Sequence, residues 1–245
     1  MLSASLAVLA SFLVSQAAAH GGVTSYVIGG TTYAGWQPYN SASGQSSIER
    51  PYSTYDPILS VSSGSLSCND NGQASGSQLS ATVAAGSTIT AKWSQWTHAQ
   101  GPVMVYMAKC PSTCSTANSN SLDWFKIDEK GLISGNLPNG QWGTALVMKD
   151  LAWTSTIPAS LAAGEYLIRH ELLALHQANT PQFYPECGQL KVTGGGGKVP
   201  GSGYTVKFPG GYGANDPGVN INIYATESQT ITTYKVPGPP VWNGQ

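Results

Sequence analysis

The chain contains few charged residues and no run of one sign. Asp, Glu, Lys and Arg make up 9% of its 245 residues, and the formal net charge is −1. Without a basic stripe, the sequence offers no electrostatic basis for binding nucleic acid. No apolar run after residue 19 approaches the roughly 20 residues that a membrane span needs. We therefore expect a mature protein that binds neither nucleic acid nor membrane.

The sequence also lacks the arrangements that hydrolases use. Glycoside hydrolysis needs two carboxylates at a set separation, but the chain has only 12 Asp and Glu residues. Adjacent acids such as Asp128 and Glu129 point to opposite faces of a strand, which makes them poor partners. No G-x-S-x-G motif or arrangement around a nucleophilic cysteine occurs. Hydrolysis is therefore disfavoured.

Glycine and proline are abundant, at 29 and 15 residues, and predict many turns and short strands. Leu79, Ala81 and Val83 alternate along one predicted face, and Ile89, Ala91 and Trp93 continue the pattern after a turn at residues 85–87. Further strands are predicted at 103–107, 165–173, 189–193 and 220–224, with an edge strand at 153–160. The pattern predicts an all-β fold, an antiparallel β-sandwich.

Three long segments, 34–66, 111–121 and 194–219, carry no periodic pattern, which is typical of functional or irregular loops. The four glycines at 194–197 are interpreted as an internal surface loop, because too little chain follows them for a second domain. We predict one domain over residues 20–245, with no appended carbohydrate-binding module.

Residues 1–19 are predicted to be a secretory signal peptide. An apolar stretch over residues 6–14 precedes Ala17 and Ala19, which form the small-residue pair of an A-x-A cleavage site. Polar residues interrupt the apolar run too early for a membrane anchor. We expect secretion, and cleavage after Ala19 that leaves His20 as the first residue.

An N-terminal histidine offers two metal-binding nitrogens, its α-amine and its imidazole Nδ1, in one chelate ring. A second histidine would complete a flat three-nitrogen site that suits Cu(II) better than the tetrahedral preference of Zn(II). His98 lies in the predicted turn between the strands that end near Trp93 and begin at Val103. Alone it would be a solvated loop histidine, but pairing with His20 favours a metal ligand.

The segment 181–187 supplies further candidates. In an extended conformation Gln182 and Tyr184 share one face and Phe183 points to the other. Gln182 could donate a hydrogen bond to a group on the metal and Tyr184 could approach an axial position, although a core tyrosine is the alternative. His176 lies on the same strand face as His170 and is a candidate for a supporting role. His170 is expected to be hydrogen-bonded inside the sandwich.

Four cysteines in a secreted chain predict two disulfides, with three possible connectivities. Cys110 and Cys114 fit a short local bridge. Cys68 and Cys187 would then close most of the chain. A zinc site at Cys110 and Cys114 is the weaker alternative in an oxidising compartment.

Together these motifs resemble the fungal lytic polysaccharide monooxygenases of auxiliary activity family 9, once classed as glycoside hydrolase family 61. The resemblance covers the chain from His20 onward, with the motifs in the same order. They are His-Gly at residues 20–21, HAQGPV from His98, RHE through ALH ending at His176, QFYPEC ending at Cys187, and GVNINIY ending at Tyr224 before VPGPPVW.

The resemblance implies an immunoglobulin-like β-sandwich with a copper site on a flat face. His20 and His98 would bind copper with Tyr184 axial, and His176 and Gln182 would position the oxygen species. Tyr224, and more loosely Tyr39, would lie against cellulose. The disulfides implied are Cys68–Cys187 and Cys110–Cys114.

The implied activity is reduction of one copper ion per chain, activation of O₂ or H₂O₂, and hydroxylation at C1 or C4 of a β-1,4-glucan. The resemblance implies a secreted monomer that takes electrons from cellobiose dehydrogenase or small phenols. Two alternatives come from other classes, a non-catalytic carbohydrate-binding sandwich and a copper-binding protein without oxidase activity.

Overall fold

The structure, a computed structural model, describes residues 20–70, 72–75 and 78–245. The predicted signal peptide lies outside these residues. Strands dominate the part of the chain that is described, and the short helix α1 (Gly143–Asp150) is accompanied by single 3-10 turns. The strands are β1 Val23–Ile28, β2 Thr31–Ala34, β3 Ala81–Ala84, β4 Thr88–Trp93, β5 Val103–Lys109, β6 Trp124–Lys130, β7 Leu132–Ser134, β8 Gln141–Trp142, β9 Ala152–Thr156, β10 Gly164–Ala174, β11 Gln182–Thr193 and β12 Thr205–Val206.

Two sheets form the body of the fold. One has four strands in the order β2-β1-β4-β9, and the other has six in the order β12-β6-β5-β10-β11-β3. Their pairings are antiparallel except that of β11 with β3, which is parallel. The predicted all-β, immunoglobulin-like sandwich is confirmed, and β9 lies at a sheet edge as the pattern at 153–160 indicates.

Strand β5 shows why the long unpatterned segments exist. Val103, Val105 and Met107 point into the core between the two sheets. The alternate residues Met104 and Tyr106 are equally buried, in a second apolar cluster on the outer face of the six-stranded sheet. Side chains from all three long segments belong to that cluster or pack against it. These loops are therefore a third layer that covers the sheet.

The turn at residues 85–87 carries the chain from one sheet to the other. The residues before it, in β3, pair with β11, and those after it, in β4, pair with β1 and β9. Ala81 and Val83 are buried as predicted. Leu79 is 46% exposed, because it lies before the start of β3 and outside the sheet. The prediction that Leu79 shares the buried face is therefore wrong.

The predicted strand at 220–224 is also wrong. The backbone there forms turns, in which Asn220 N donates to the carbonyl of Asp216 and Ala225 N to that of Asn222. Ile223 is buried in the outer-face cluster and Tyr224 is exposed. The apolar alternation therefore reflects packing of a turn on the sheet, since local hydrogen bonds replace a neighbouring strand.

Both disulfides of the resemblance are present, Cys68–Cys187 and Cys110–Cys114. The first ties a loop 119 residues upstream to the middle of β11. Among the described residues no helix is long and apolar enough to cross a membrane.

Candidate metal centre

Three strand pairings bring the predicted site residues to one end of the sandwich. Val23, at the start of β1, lies opposite Trp93 at the end of β4. Val103, at the start of β5, pairs with Leu172 of β10, which pairs in turn with Tyr184 of β11. Three parts of the chain therefore meet here: the residues before β1, the loop between β4 and β5, and the start of β11.

His20, His98 and Tyr184 come together at this end. The ring centroids of His20 and His98 are 5.5 Å apart, and those of His20 and Tyr184 are 5.8 Å apart. The rings of His98 and Tyr184 are separated by 6.3 Å. The three residues proposed from the sequence as metal ligands thus form one triangle of side chains.

Trp96 holds His98 in place. Its indole Nε1 donates to the His98 carbonyl at 2.7 Å, and its ring lies edge-on to both His98, at 5.2 Å, and Tyr184, at 4.9 Å. Trp96 was not among the candidates that the sequence patterns indicated. Its position two residues before the candidate ligand was the available signal, since residues i and i+2 of an extended segment share a face.

The His98 imidazole is prepared to bind a cation. Its Nε2 is buried and has no hydrogen-bond partner in the described part of the chain. Burial, followed by the proximity of His176 and His20, lowers the pKa of His98 to about 4. The ring is therefore neutral at neutral pH, with a ring nitrogen available as a ligand.

His176 stacks on His98, with ring centroids 4.0 Å apart. Strand β10 ends at Ala174, so the argument that His170 and His176 share a strand face does not apply. His176 lies two residues beyond the strand, just before the turn in which Thr180 N donates to the Gln177 carbonyl. Burial, with a smaller contribution from His20, lowers the pKa of His176.

Gln182 and Tyr184 are joined by a hydrogen bond, in which the Tyr184 hydroxyl donates to Gln182 Oε1 at 2.9 Å. Both side chains are buried, and Phe183 points into the outer-face cluster, so the predicted alternation is confirmed. Burial, and then Asp56 and Glu186, raise the pKa of Tyr184. The hydroxyl therefore stays protonated, and the bond leaves the NH₂ group of Gln182 as its donor end.

Asp56 is a neighbour that the sequence did not indicate. Its Oδ1 lies 3.9 Å from His20 Nδ1, and its side chain is 74% exposed. Asp56 belongs to the unpatterned segment 34–66, so only the folded chain places it beside His20.

Tyr39 and Tyr224 are both exposed, at 69% and 46%. The Tyr39 ring lies edge-on to Tyr55 at 5.3 Å, and its hydroxyl accepts a hydrogen bond from Tyr55 N. Tyr224 lies just after Ile221, whose carbonyl accepts a hydrogen bond from Asn179 N. This bond links the segment before Tyr224 to the loop after His176. Among the described residues no ring contact joins either tyrosine to the histidines, so they are accessible aromatics outside the cluster.

His170 does not behave as expected. It is fully buried between Tyr26 and Trp93, at ring distances of 5.6 and 6.4 Å, and neither of its ring nitrogens has a partner within the described chain. The prediction of a hydrogen-bonded core histidine is therefore wrong. Burial lowers the pKa of His170 to about 3, so the ring is neutral.

The side-chain donors at this end are mainly histidine nitrogens, and they are too few to form a metal site by themselves. In the described residues no three His, Cys, Asp or Glu side chains form a metal-binding group. A metal between His20 and His98 therefore needs a donor of another kind.

Known proteins match this chain over most of its length. Residues 20–234 match the family model of Auxiliary Activity family 9 (formerly GH61). The chain is 56% identical over 236 residues to AA9 family lytic polysaccharide monooxygenase B of Heterobasidion irregulare (strain TC 32-1), with 96% of each chain covered.

Two solved structures share the fold. The crystal structure of HiLPMO9B matches with a TM-score of 0.89 and 55% identity, over 92% of this chain and 100% of that one. A cellulose-active polysaccharide monooxygenase from M. thermophila matches with a TM-score of 0.85 and 43% identity, again over 92% and 100%.

Proposed function

This chain belongs to Auxiliary Activity family 9, the lytic polysaccharide monooxygenases, and we propose that it is a copper enzyme that oxidatively cleaves cellulose. The observation that carries the proposal is the buried Nε2 of His98, which has no hydrogen-bond partner among the described residues and belongs to a ring 5.5 Å from that of His20. The lone pair of a buried, neutral imidazole nitrogen is satisfied by a hydrogen-bond donor or by a Lewis acid, and a copper ion between the two rings would be such an acid.

His20 and His98 would hold the copper. Cleavage after Ala19 would free the His20 α-amine, which supplies the third nitrogen that the described side chains do not. Three nitrogen donors suit Cu(II) better than Zn(II). Tyr184, 5.8 Å from His20 between ring centroids, would be the third side chain beside the copper. Copper, when bound, supplies the one-electron chemistry that activates O₂ or H₂O₂ for hydroxylation at C1 or C4 of a β-1,4-glucan.

Gln182 and His176 would position the oxygen co-substrate. Because the Tyr184 hydroxyl occupies Gln182 Oε1, the amide presents its NH₂ group as a donor. His176 is neutral and stacked on His98, so the plane of its ring and the positions of its two nitrogens are fixed. Donors held by packing and hydrogen bonds need little reorganisation during the reaction.

The substrate side would be an open surface rather than a pocket. Tyr39 and Tyr224 are the exposed rings that would lie against sugar units. We place the enzyme outside the cell, as a monomer with one domain over residues 20–245. Reductants of the family's kind, cellobiose dehydrogenase or small phenols, would supply the electrons.

The test uses secreted protein that is loaded with Cu(II), freed of excess metal and incubated with amorphous cellulose. Ascorbate is added to one sample and omitted from the other, and mass spectrometry detects oxidised oligosaccharides. Aldonic acids would report C1 attack and 4-keto sugars C4 attack. Two controls remove one donor each: His98→Ala, and a chain with one alanine kept before His20.

Reductant-dependent oxidised products that both controls lose would support the proposal. Stoichiometric copper binding without oxidised products would favour a copper-binding protein without oxidase activity. Cellulose binding without copper binding would favour a carbohydrate-binding sandwich.

A further inference from the structure

His20 has one covalent neighbour in the proposed mature chain, so its chelating atoms need an anchor within the fold. The amine and Nδ1 lie on a residue that would otherwise turn freely at the chain end. A chelate binds more tightly when the backbone that bears it is already in position, because less conformational entropy is lost on binding.

The side chain of Gln95 provides such an anchor. Its Nε2 donates a hydrogen bond to the His20 carbonyl oxygen. Gln95 is half-buried in the loop that also carries Trp96 and His98. One loop therefore contributes a proposed ligand and holds the backbone of the other.

The two glycines after His20 allow this contact. A Cβ atom on Gly21 would overlap the carbonyl oxygen of Gln95. On Gly22 a Cβ would lie 2.6 Å from the Tyr52 hydroxyl and 2.8 Å from the Tyr55 ring. The next residue is fixed in turn, since Val23 N donates to the buried carboxyl group of Glu186. The chain from His20 to β1 thus lies in a channel that only glycine fits.

We propose that Gln95 is a positioning residue that fixes the His20–Gly21 peptide plane, and with it the position of the Cα atom that bears the copper-chelating amine and imidazole. The inference rests on the proposed copper site. With the carbonyl held, the Cα of His20 has a fixed position, and rotation about the Cα–C bond and the side-chain torsions remain. Copper would then bind an anchored chelate, without having to order the chain end.

The decisive variant is Gln95→Met, which keeps the length and packing of the side chain but removes the donor. Ordering one released backbone residue costs about 5- to 30-fold in affinity, so copper should bind that much more weakly. The Cu(II) electron paramagnetic resonance spectrum should broaden or shift, since the donors no longer have one geometry. Gln100→Met, in the same loop, is the matched control and should match the wild type.

A metal-free measurement accompanies the titration. In the apo protein, ¹⁵N relaxation at the Gly21 amide should show faster motion in Gln95→Met than in the wild type. Gly21→Ala pushes the chain away from Gln95 without touching the glutamine, and should reproduce both effects. It also serves as the second variant if Gln95→Met does not fold.

Wild-type affinity, an unchanged copper spectrum and unchanged motion of the residue 21 amide in either folded variant would overturn the role of Gln95. A wild-type protein that binds no copper would instead overturn the proposed function. In that case the Gly21 relaxation still decides whether Gln95 anchors the chain end.

Discussion

The imidazole rings of His98 and His176 lie parallel, with centroids 4.0 Å apart and 5° between their planes. Burial is the main cause of the lowered pKa of each ring, and His176 adds to the effect on His98. A stack this close is stable only if at least one ring is neutral, because two charged rings would repel. His176 thus has two separable properties, a ring face that packs on His98 and ring nitrogens that can hydrogen-bond.

His176→Phe separates these properties, because it keeps a ring against His98 and removes the nitrogens. We expect copper affinity to change little and the rate of cellulose oxidation to fall about 10- to 100-fold. His176→Ala removes the ring as well and should weaken copper binding too. Copper titration and the rate of oxidised-product formation provide the measurements. Phe and wild type reacting at equal rates would contradict the role in positioning oxygen.

His170→Leu should leave the protein as stable as the wild type or stabilise it. Neither nitrogen of the buried imidazole has a partner in the part of the chain that the structure describes. An apolar side chain of similar volume avoids the cost of burying them. Chemical denaturation at pH 7 measures the free energy of unfolding. A loss above about 2 kcal/mol would show that the nitrogens have hydrogen-bond partners, such as buried water.

The same variant should flatten the pH dependence of stability. The pKa of His170 is lowered from 6.5 to about 3, so between these values the unfolded chain binds more protons. Stability from this group is complete above pH 6.5 and is lost as the pH falls towards 3, by up to about 1.4 kcal/mol per pH unit. The difference in the free energy of unfolding between wild type and His170→Leu should change with pH by this slope. Glu49 and Glu186, buried with raised pKa values, are present in both proteins.

The two disulfides should differ in their contribution to stability. Cys68–Cys187 spans 119 residues and Cys110–Cys114 spans 4. In the chain-entropy account, replacing both cysteines of the long bridge with alanine costs about 5 kcal/mol, and of the short bridge about 2 kcal/mol. Thermal or denaturant unfolding of the two double variants checks the order. Equal losses would mean that local packing, rather than loop closure, sets the contribution.

Tyr39→Ala and Tyr224→Ala should weaken binding to cellulose, by about 1 kcal/mol each, since each ring loses the apolar area it would bury on the substrate. Tyr39 is the more exposed, so its replacement should cost more. Val199→Ala is a matched control, because Val199 is also exposed, at 58%, and lies beside the Lys198–Leu161 bridge at the opposite end of the sandwich. Pull-down isotherms on cellulose supply the affinities. Equal effects of all three substitutions would exclude a specific aromatic face.

The positions of the ligand candidates followed from where the strand pattern stops. Alternation ends at Trp93 and resumes at Val103, which predicts a loop that carries His98, and β4 and β5 have these bounds. Gln182 and Tyr184 share a face because side chains alternate with a period of two along a strand. Such features depend only on residues near in the chain, so the local sequence pattern predicts them.

Features that depend on partners distant in the chain were not predictable. Asp56 and Gln95 approach His20 only after the sandwich closes, 36 and 75 positions from it in the chain. The segment at 220–224 has a strand pattern, but its backbone bonds within local turns, such as that of Asn220 N to the Asp216 carbonyl. The sequence pattern correctly places His170 in a strand. It does not show that Tyr26 and Trp93 of the opposite sheet surround the ring, so that its nitrogens have no partner among the described residues.

Strand β1 lies between β2 and β4 in its sheet, and Val23 and Tyr26 have no exposed surface. Chain ends usually open by local fraying, at almost no cost in free energy. Here the residues that lead to His20 enter the middle of a sheet within three positions, so we expect the amides of β1 to exchange as slowly as those of the core strands. The proposed metal centre should then open only when the whole sandwich unfolds, and the protein should stay competent until the temperature at which it melts.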